Sequence, residues 1–258
     1  MNIKKILIVY KNSNLRTQKK IIELLKKILK DSNLNLVNRC DLTKKDIKGH
    51  NLIFSIGGDG TFLRTAHFIT NELIMGINSD VKKSEGKLCS AVKENLKDKI
   101  NKIKEDEFII KKLTRVRVHY SSKDYDALNE IYVGSSKPYY LGKYILKFNN
   151  IKEEQKSSGI IISSGTGSSA WYKSITNNTF DPESEELRFV VREPYYGRLS
   201  KFNITTGRIY KNQKLYLVSK MKDGIIAIDS ITELPFSKDK EIEIKISPKP
   251  LNVIYFKE

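Results

Sequence analysis

At 258 residues, 39% of them hydrophobic, the chain can bury one large core or two modest ones. No apolar run approaches the ~18 residues of a membrane span, and two cysteines without metal-ligand spacing, Cys40 and Cys89, point to a reducing cytoplasm rather than a disulfide-stapled secreted module. The net charge of +17 suits nucleic acid, an anionic surface or phosphorylated ligands, but the lysines are scattered, so charge alone is a weak argument for dedicated nucleic-acid binding.

Lys4 and Lys5 precede an apolar run of only Ile6 to Val9, too short for a signal peptide, and the spacing predicts a first buried strand over Lys5–Tyr10. Residues 16–30 carry Ile21, Leu24, Leu25, Ile28 and Leu29 on one helical face with lysines opposite. Residues 34–37 can be a second strand. The stretch 51–71 then reads in three parts: an apolar strand (Leu52, Ile53, Phe54, Ile56), a turn of almost no bulk (Gly57, Gly58, Asp59, Gly60), and a helix over 61–70 with Phe62, Leu63, Ala66 and Ile69 as its apolar surface. A further strand at 73–77 and a charged helix at 91–104 follow. Strands alternating with helices predict an α/β N-terminal domain with a mainly parallel sheet, residues 1–106.

After Phe108 the periodicity changes. Residues 109–120, 127–134, 139–149, 159–163, 252–256 and the runs Leu187–Val191, Leu215–Ser219, Gly224–Ile228 and Glu241–Ile246 all read as strands. They predict an all-β C-terminal domain over 107–258. No internal repeat, low-complexity tract or proline-rich linker interrupts the chain.

Three places carry chemistry. In the first, glycines permit close backbone approach and the helix start offers N–H groups to an anion. Asp59 is out of place there unless a metal or a proton transfer needs a carboxylate; the alternative is an ordinary turn-forming Asp. In the second, residues 156–174, a short strand again runs into glycines and hydroxyls (Ser163, Ser164, Gly165, Thr166, Gly167, Ser168, Ser169), followed by Trp171, the single tryptophan. That loop can cradle an anionic or nucleotide ligand, or simply cover the β-domain core. In the third, Asn129 and Glu130 interrupt an apolar strand, and a polar pair there must meet partners or water.

GGDGT, an Asn–Glu pair on a strand, and a glycine- and hydroxyl-rich loop ending in Ala plus an aromatic, in this order along nearly the whole chain, resemble NAD kinase. The mitochondrial-type branch resembles it further at Asn78–Ser79–Asp80, Ser84–Glu85–Gly86, Leu88–Cys89 and Arg192–Glu193–Pro194. Three departures from most NAD kinases, Ser158 in place of Asp, Gly165 in place of Pro and Trp171 in place of Tyr, are shared with that branch. Asp229–Ser230 stands where many members have Asp-Gly or Asp-His.

The resemblance implies transfer of the γ-phosphoryl of ATP, with Mg²⁺, to the 2′-hydroxyl of the adenosine ribose of NAD, at an active site between the two domains. It implies a homodimer or larger homo-oligomer, while no side-chain metal site is identified, the cysteine usage points to the cytoplasm, and the lack of a long apolar run argues against a membrane partner. By the same analogy Asp59 takes the hydroxyl proton, and Gly57, Gly58, Gly60, Thr61 and Arg64 meet phosphates. Asn129 and Glu130 hold adenine and ribose, and Ser158, Thr166, Gly167, Ser169, Ala170, Trp171 and Ser174 line the dinucleotide pocket. His50, His67 and His119 are read as structural. A lipid kinase with a GGDGT-like turn and a non-catalytic basic nucleic-acid binder are the competing readings.

Overall fold

Leu52, Ile53, Phe54, Ser55, Ile56 and Gly57 are all buried, with no alternation along the strand, which is what a parallel strand covered on both faces requires. This strand is central to the first of two units in a computed structural model that describes residues 4–11, 15–198 and 202–257. The units are Met1–Lys112 with Leu251–Glu258, and Leu113–Pro250. In chain order the first begins β1 (Lys5–Tyr10), α1 (Leu15–Ile28), β2 (Asn33–Asn38), α2 (Lys44–Ile47), β3 (Leu52–Gly57), α3 (Asp59–Ala66), β4 (Leu73–Asn78), β5 (Ala91–Val92), α4 (Leu96–Lys104) and β6 (Ile109–Leu113). β2, β1, β3 and β4 pair side by side, all parallel. Ile21, Leu25 and Leu29 pack onto them with Leu96, Ile100 and Ile103 of α4, burial worth ~1.5–3 kcal/mol for each aliphatic side chain.

Two helix boundaries differ from the periodic reading. α3 starts at Asp59 and not at Thr61, because Gly58 is extended and its carbonyl accepts both the Thr61 and Phe62 N–H groups. Asp59 and Gly60 are therefore the first helical turn rather than a loop. α3 ends at Ala66, after which Phe68 and Ile69 make tighter i→i+3 bonds. α4 starts five residues later than the stripe predicts, because Ala91 and Val92 pair with β4 instead.

The second unit contains β7 (Val116–Tyr120), β8 (Lys123–Ala127), β9 (Glu130–Ser135), β10 (Gly142–Phe148), β11 (Ile151–Ser157), β12 (Ile160–Ser163), a 3₁₀ turn (Thr166–Ser169), α5 (Trp171–Thr176), β13 (Leu187–Val191), β14 (Thr206–Ile209), β15 (Leu215–Ser219), β16 (Gly224–Ile228), β17 (Thr232–Pro235) and β18 (Glu241–Ile246). They form two six-stranded antiparallel sheets, ordered β11-β10-β15-β18-β7-β8 and β14-β13-β12-β9-β16-β17. Alternate residues of both, such as Tyr144, Leu146, Leu217 and Ile244 from one and Ile131, Val133, Ile162 and Phe189 from the other, meet in one buried cluster. On the second sheet's other face Ile161 and Val190 pack with Tyr172 and Phe180, and Trp171 lies against them.

β11 has no apolar pattern to announce it. Asn149 and Asn150, both left-handed at φ 47° and 65°, turn the chain back, as a two-residue hairpin requires. The seven residues of β11 then pair with all of β10, and a charged strand suits this sheet edge.

The division at residue 106 needs correction at both ends of the β domain. Residues 109–120 are two strands, and β6 belongs to the first unit's sheet. The last strand, β19 (Leu251–Tyr255), pairs parallel with β4 in that sheet. Local pattern identifies a strand but not its partner, and only pairing assigns it to a domain. Arg115, buried, ties the two crossing segments together, its Nε donating to the Lys249 carbonyl at 2.8 Å and Nη2 to that of Pro250 at 3.2 Å.

Candidate functional site

In the first unit the start of α3 forms a wall of a cavity of about 420 Å³. Gly57 to Thr61 line it together with Asn78 to Asp80 and Ser84, and Lys11, Arg39 and Lys83 contribute positive charge. Gly58 is demanded by packing, since a Cβ there would strike the Ser84 side chain. Asp59 is half-buried on the wall. Its Oδ1 accepts the Leu88 N–H at 2.8 Å and its Oδ2 the Lys87 N–H at 3.2 Å. The left-handed Gly86 bends the 84–88 loop toward it, and Asn78 Nδ2 holds the Ser84 carbonyl at 3.1 Å. Each carboxylate oxygen thus has one lone pair committed to orientation and one to spare.

Arg64 does not line this cavity. Its Nε donates to the Arg39 carbonyl at 2.9 Å, and Arg39 in turn reaches Thr61 Oγ1 through Nη1 at 3.2 Å. Arg39 is the cation at the wall and Arg64 its support, which the spacing of Arg64 from Thr61 did not foretell. Gln18, also unmarked in the sequence, is buried against Ser79 Oγ at 3.3 Å, its Oε1 without a partner among the described residues. Three cations and a helix N-terminus suit a polyphosphate. Asp59 and Asp80 are the carboxylates on this wall, enough for a magnesium ion that keeps most of its ligands as phosphate oxygens and water.

In the second unit the other two predicted motifs come together. β8 and β9 belong to different sheets, and Leu128 and Asn129 form the bend between them. Glu130 opens β9 opposite Ser163 at the end of β12. The Ser164 N–H donates to the Asn129 carbonyl at 2.9 Å, and Ser164 Oγ to that of Leu128. Gly167 is pressed onto the Asn129 backbone, where any Cβ would collide, and its N–H is taken by Ser164 Oγ at 3.2 Å. Gly167 therefore serves close approach, with its N–H already committed.

This convergence leaves three buried oxygens without partners among the described residues: Asn129 Oδ1, Glu130 Oε2 and Thr166 Oγ1. Burial, with the nearby charge of Asp229 added, pushes the Glu130 carboxyl up to about 8. Asp229, whose part in the site the sequence leaves open, accepts the N–H groups of Leu128, Asn129 and Glu130. Burial raises its carboxyl to about 6, against the lowering effect of those bonds.

The remaining candidates are less involved. Ser158 is tied by its backbone, its N–H to the Arg192 carbonyl and its own carbonyl to Tyr132 Oη at 3.0 Å. Ser169 and Ser174 are exposed, and Ser174 Oγ returns to the Ala170 carbonyl of its own turn at 3.5 Å. Trp171 stacks on Tyr132, ring centroids 5.2 Å apart and 29° from parallel, with the Arg192 guanidinium 5.0 Å from its ring centre. His50 contacts Asn35, His67 packs on Phe68, and His119 contacts Asp124.

Glu130→Gln should alter how stability depends on pH. A carboxyl whose folded value is raised from ~4.3 to about 8 stabilises the fold fully below the lower value and loses that contribution as pH rises through the higher. The variant should therefore gain on the wild type by on the order of 2–4 kcal/mol between pH 5 and 9 in urea titrations, and a gap independent of pH would contradict a buried proton. Trp171→Ala should cost about 1–3 kcal/mol, less than the ~3–5 of a fully buried tryptophan, and denaturation curves matching the wild type would contradict its packing role.

No family model matches the chain. It is 26% identical over 253 residues to an NAD kinase of Caldicellulosiruptor saccharolyticus, covering 97% of this chain and 94% of that one. It is 25% identical over 246 residues to a probable NADH kinase of Oryza sativa, covering 85% and 75%. Its fold is that of the NAD kinase from Archaeoglobus fulgidus solved in complex with ATP, with a TM-score of 0.76 and 23% identity over 98% of this chain and 93% of that one.

Proposed function

We propose that this chain, by sequence and fold a member of the NAD kinase family, transfers the γ-phosphoryl group of ATP to the 2′-hydroxyl of the adenosine ribose of NAD, giving NADP. The observation that carries this reading is the set of unpartnered buried oxygens on Asn129, Glu130 and Thr166, supplied by two motifs about 35 residues apart. Such groups cost stability unless a ligand completes them. Adenosine offers the hydroxyl and amino donors that they lack.

The donor reading rests on the α3 cavity. Lys11, Arg39, Lys83 and the first-turn N–H groups favour a triphosphate there. Magnesium arrives with the nucleotide, and Asp59 and Asp80 are the residues that would meet it. What the metal supplies is neutralisation of phosphate charge; the chain supplies position.

Phosphoryl transfer passes through a loose transition state in which positioning and charge stabilisation do most of the work. Asp59 accepts the hydroxyl proton late, because in a loose transition state bond formation to the acceptor oxygen lags and that oxygen sheds its proton only as the phosphoryl group arrives. The N–H bonds from Lys87 and Leu88 keep that carboxylate from rotating, so it offers the same lone pairs in each turnover.

Ser158, Gly165 and Trp171 support membership of the mitochondrial-type branch. Cysteine usage supports a cytoplasmic location, and the family resemblance supports a homo-oligomer.

The test is an NADP(H)-formation assay on the purified chain with ATP and Mg²⁺, offering NAD and NADH in turn, polyphosphate as alternative donor, and diacylglycerol as rival acceptor. Phosphorylation of the lipid, or none of either dinucleotide, would overturn the reading. Asp59→Asn should stay folded and lower turnover by roughly 10²–10⁴-fold; wild-type turnover in that variant would remove Asp59 from the chemistry.

A further inference from the structure

We propose that Asp229 is a positioning residue for the acceptor nucleotide: by receiving three successive backbone N–H groups it sets where Asn129 and Glu130 present their side chains. This rests on the reading above, in which those two residues hold the adenosine.

The geometry is specific. Asp229 is 6% exposed. Its Oδ2 accepts the Leu128 N–H at 2.6 Å, and its Oδ1 accepts those of Asn129 at 2.8 Å and Glu130 at 3.1 Å. In return the Asp229 N–H donates to the Glu130 carbonyl at 3.0 Å. The segment it grips is the bend where the chain leaves one sheet for the other, so its N–H groups lie where regular strand pairing breaks off. Buried N–H groups need an acceptor, and one carboxylate serves all three.

The turn that carries Asp229 is constrained as well. Asp229 and Ser230 are both left-handed, φ 50° and 54°, at the centre of a turn closed by the Ile231 N–H on the Ile228 carbonyl at 2.9 Å. Such turns favour Asn, Asp or Gly at the first central position and Gly at the second. Asp is therefore an ordinary turn residue at 229 that also brings a carboxylate, and it is Ser230 that stands where glycine is preferred. Placing a second acid near Glu130 is also unfavourable, and it helps keep the Glu130 proton in place. From the other side Ser164 holds the Leu128 and Asn129 carbonyls. The backbone of the bend is therefore fixed from both sides, while Asn129 Oδ1 and Glu130 Oε2 are left open.

The test is steady-state kinetics of Asp229→Asn, which puts an NH₂ where one acceptor oxygen was and so breaks at least one of the three bonds. The KM for NAD should rise about tenfold or more, the equivalent of one or two hydrogen bonds, while the KM for ATP stays within about twofold. In an Asn129→Ala background the same substitution should raise the NAD KM by less than about threefold, because residues acting through one another are not additive. A folded Asp229→Asn with unchanged NAD KM, or an equal penalty in both backgrounds, overturns the proposal. Should Asp229→Asn fail to fold, Ser164→Ala decides: it frees the Leu128 carbonyl, must give the same split between the two KM values, and refutes the clamp if it does not. The wild type assayed alongside separates the claims. If it makes no NADP, the acceptor reading fails; if it is active and the variants bind NAD normally, only the positioning role does.

Discussion

Neighbouring backbone N–H groups closing on a carboxylate hold the functional segment in each unit. In the first, Lys87 and Leu88 fix Asp59; in the second, Leu128, Asn129 and Glu130 converge on Asp229. The bonds are alike, but burial separates their consequences. Asp59 is half-buried on a cavity wall, with lone pairs to spare for a further partner. Asp229 is almost fully buried, so its carboxylate is spent on holding the chain. A charge-assisted bond from a backbone N–H is roughly twice as strong as a neutral one, which suits segments that must stay in place without regular secondary structure.

Around these anchors the fold tolerates local cost. Asn129, Glu130 and Thr166 keep buried oxygens unpaired among the described residues, Glu130 holds its proton well above the usual carboxylate range, and Ser230 takes a left-handed position that glycine would favour. The expense falls on residues at the ends of strands β8, β9, β12 and β16, next to a well-packed sandwich core. A rigid core can carry unsatisfied groups at its rim, and that is where a ligand able to satisfy them can enter.

Much of this was legible from residue order. The parallel unit, the run of β-strands and the three motifs all follow from periodicity and glycine placement. Leu187–Val191, Leu215–Ser219, Gly224–Ile228 and Glu241–Ile246 match the strands residue for residue, because each alternates or buries in a way that local pattern alone reveals. The charged strand β11 was invisible for the converse reason: its stability comes from β10 across an Asn–Asn turn and not from its own side chains.

The sequence by itself determined which residues are chemically unusual: an acid among glycines at Asp59, a polar pair within an apolar run at Asn129 and Glu130, and hydroxyls after a strand at 163–169. Only the tertiary structure decided their partners. It put Arg39 and not Arg64 at the cavity wall, turned Gly167 into a contact with the Asn129 backbone, returned β19 to the first sheet, and brought Asp229 to a bend about 100 residues earlier in the chain. Periodicity and turn chemistry act over a few residues and can be read in order, whereas a hydrogen bond between distant segments depends on the folded path that brings them together.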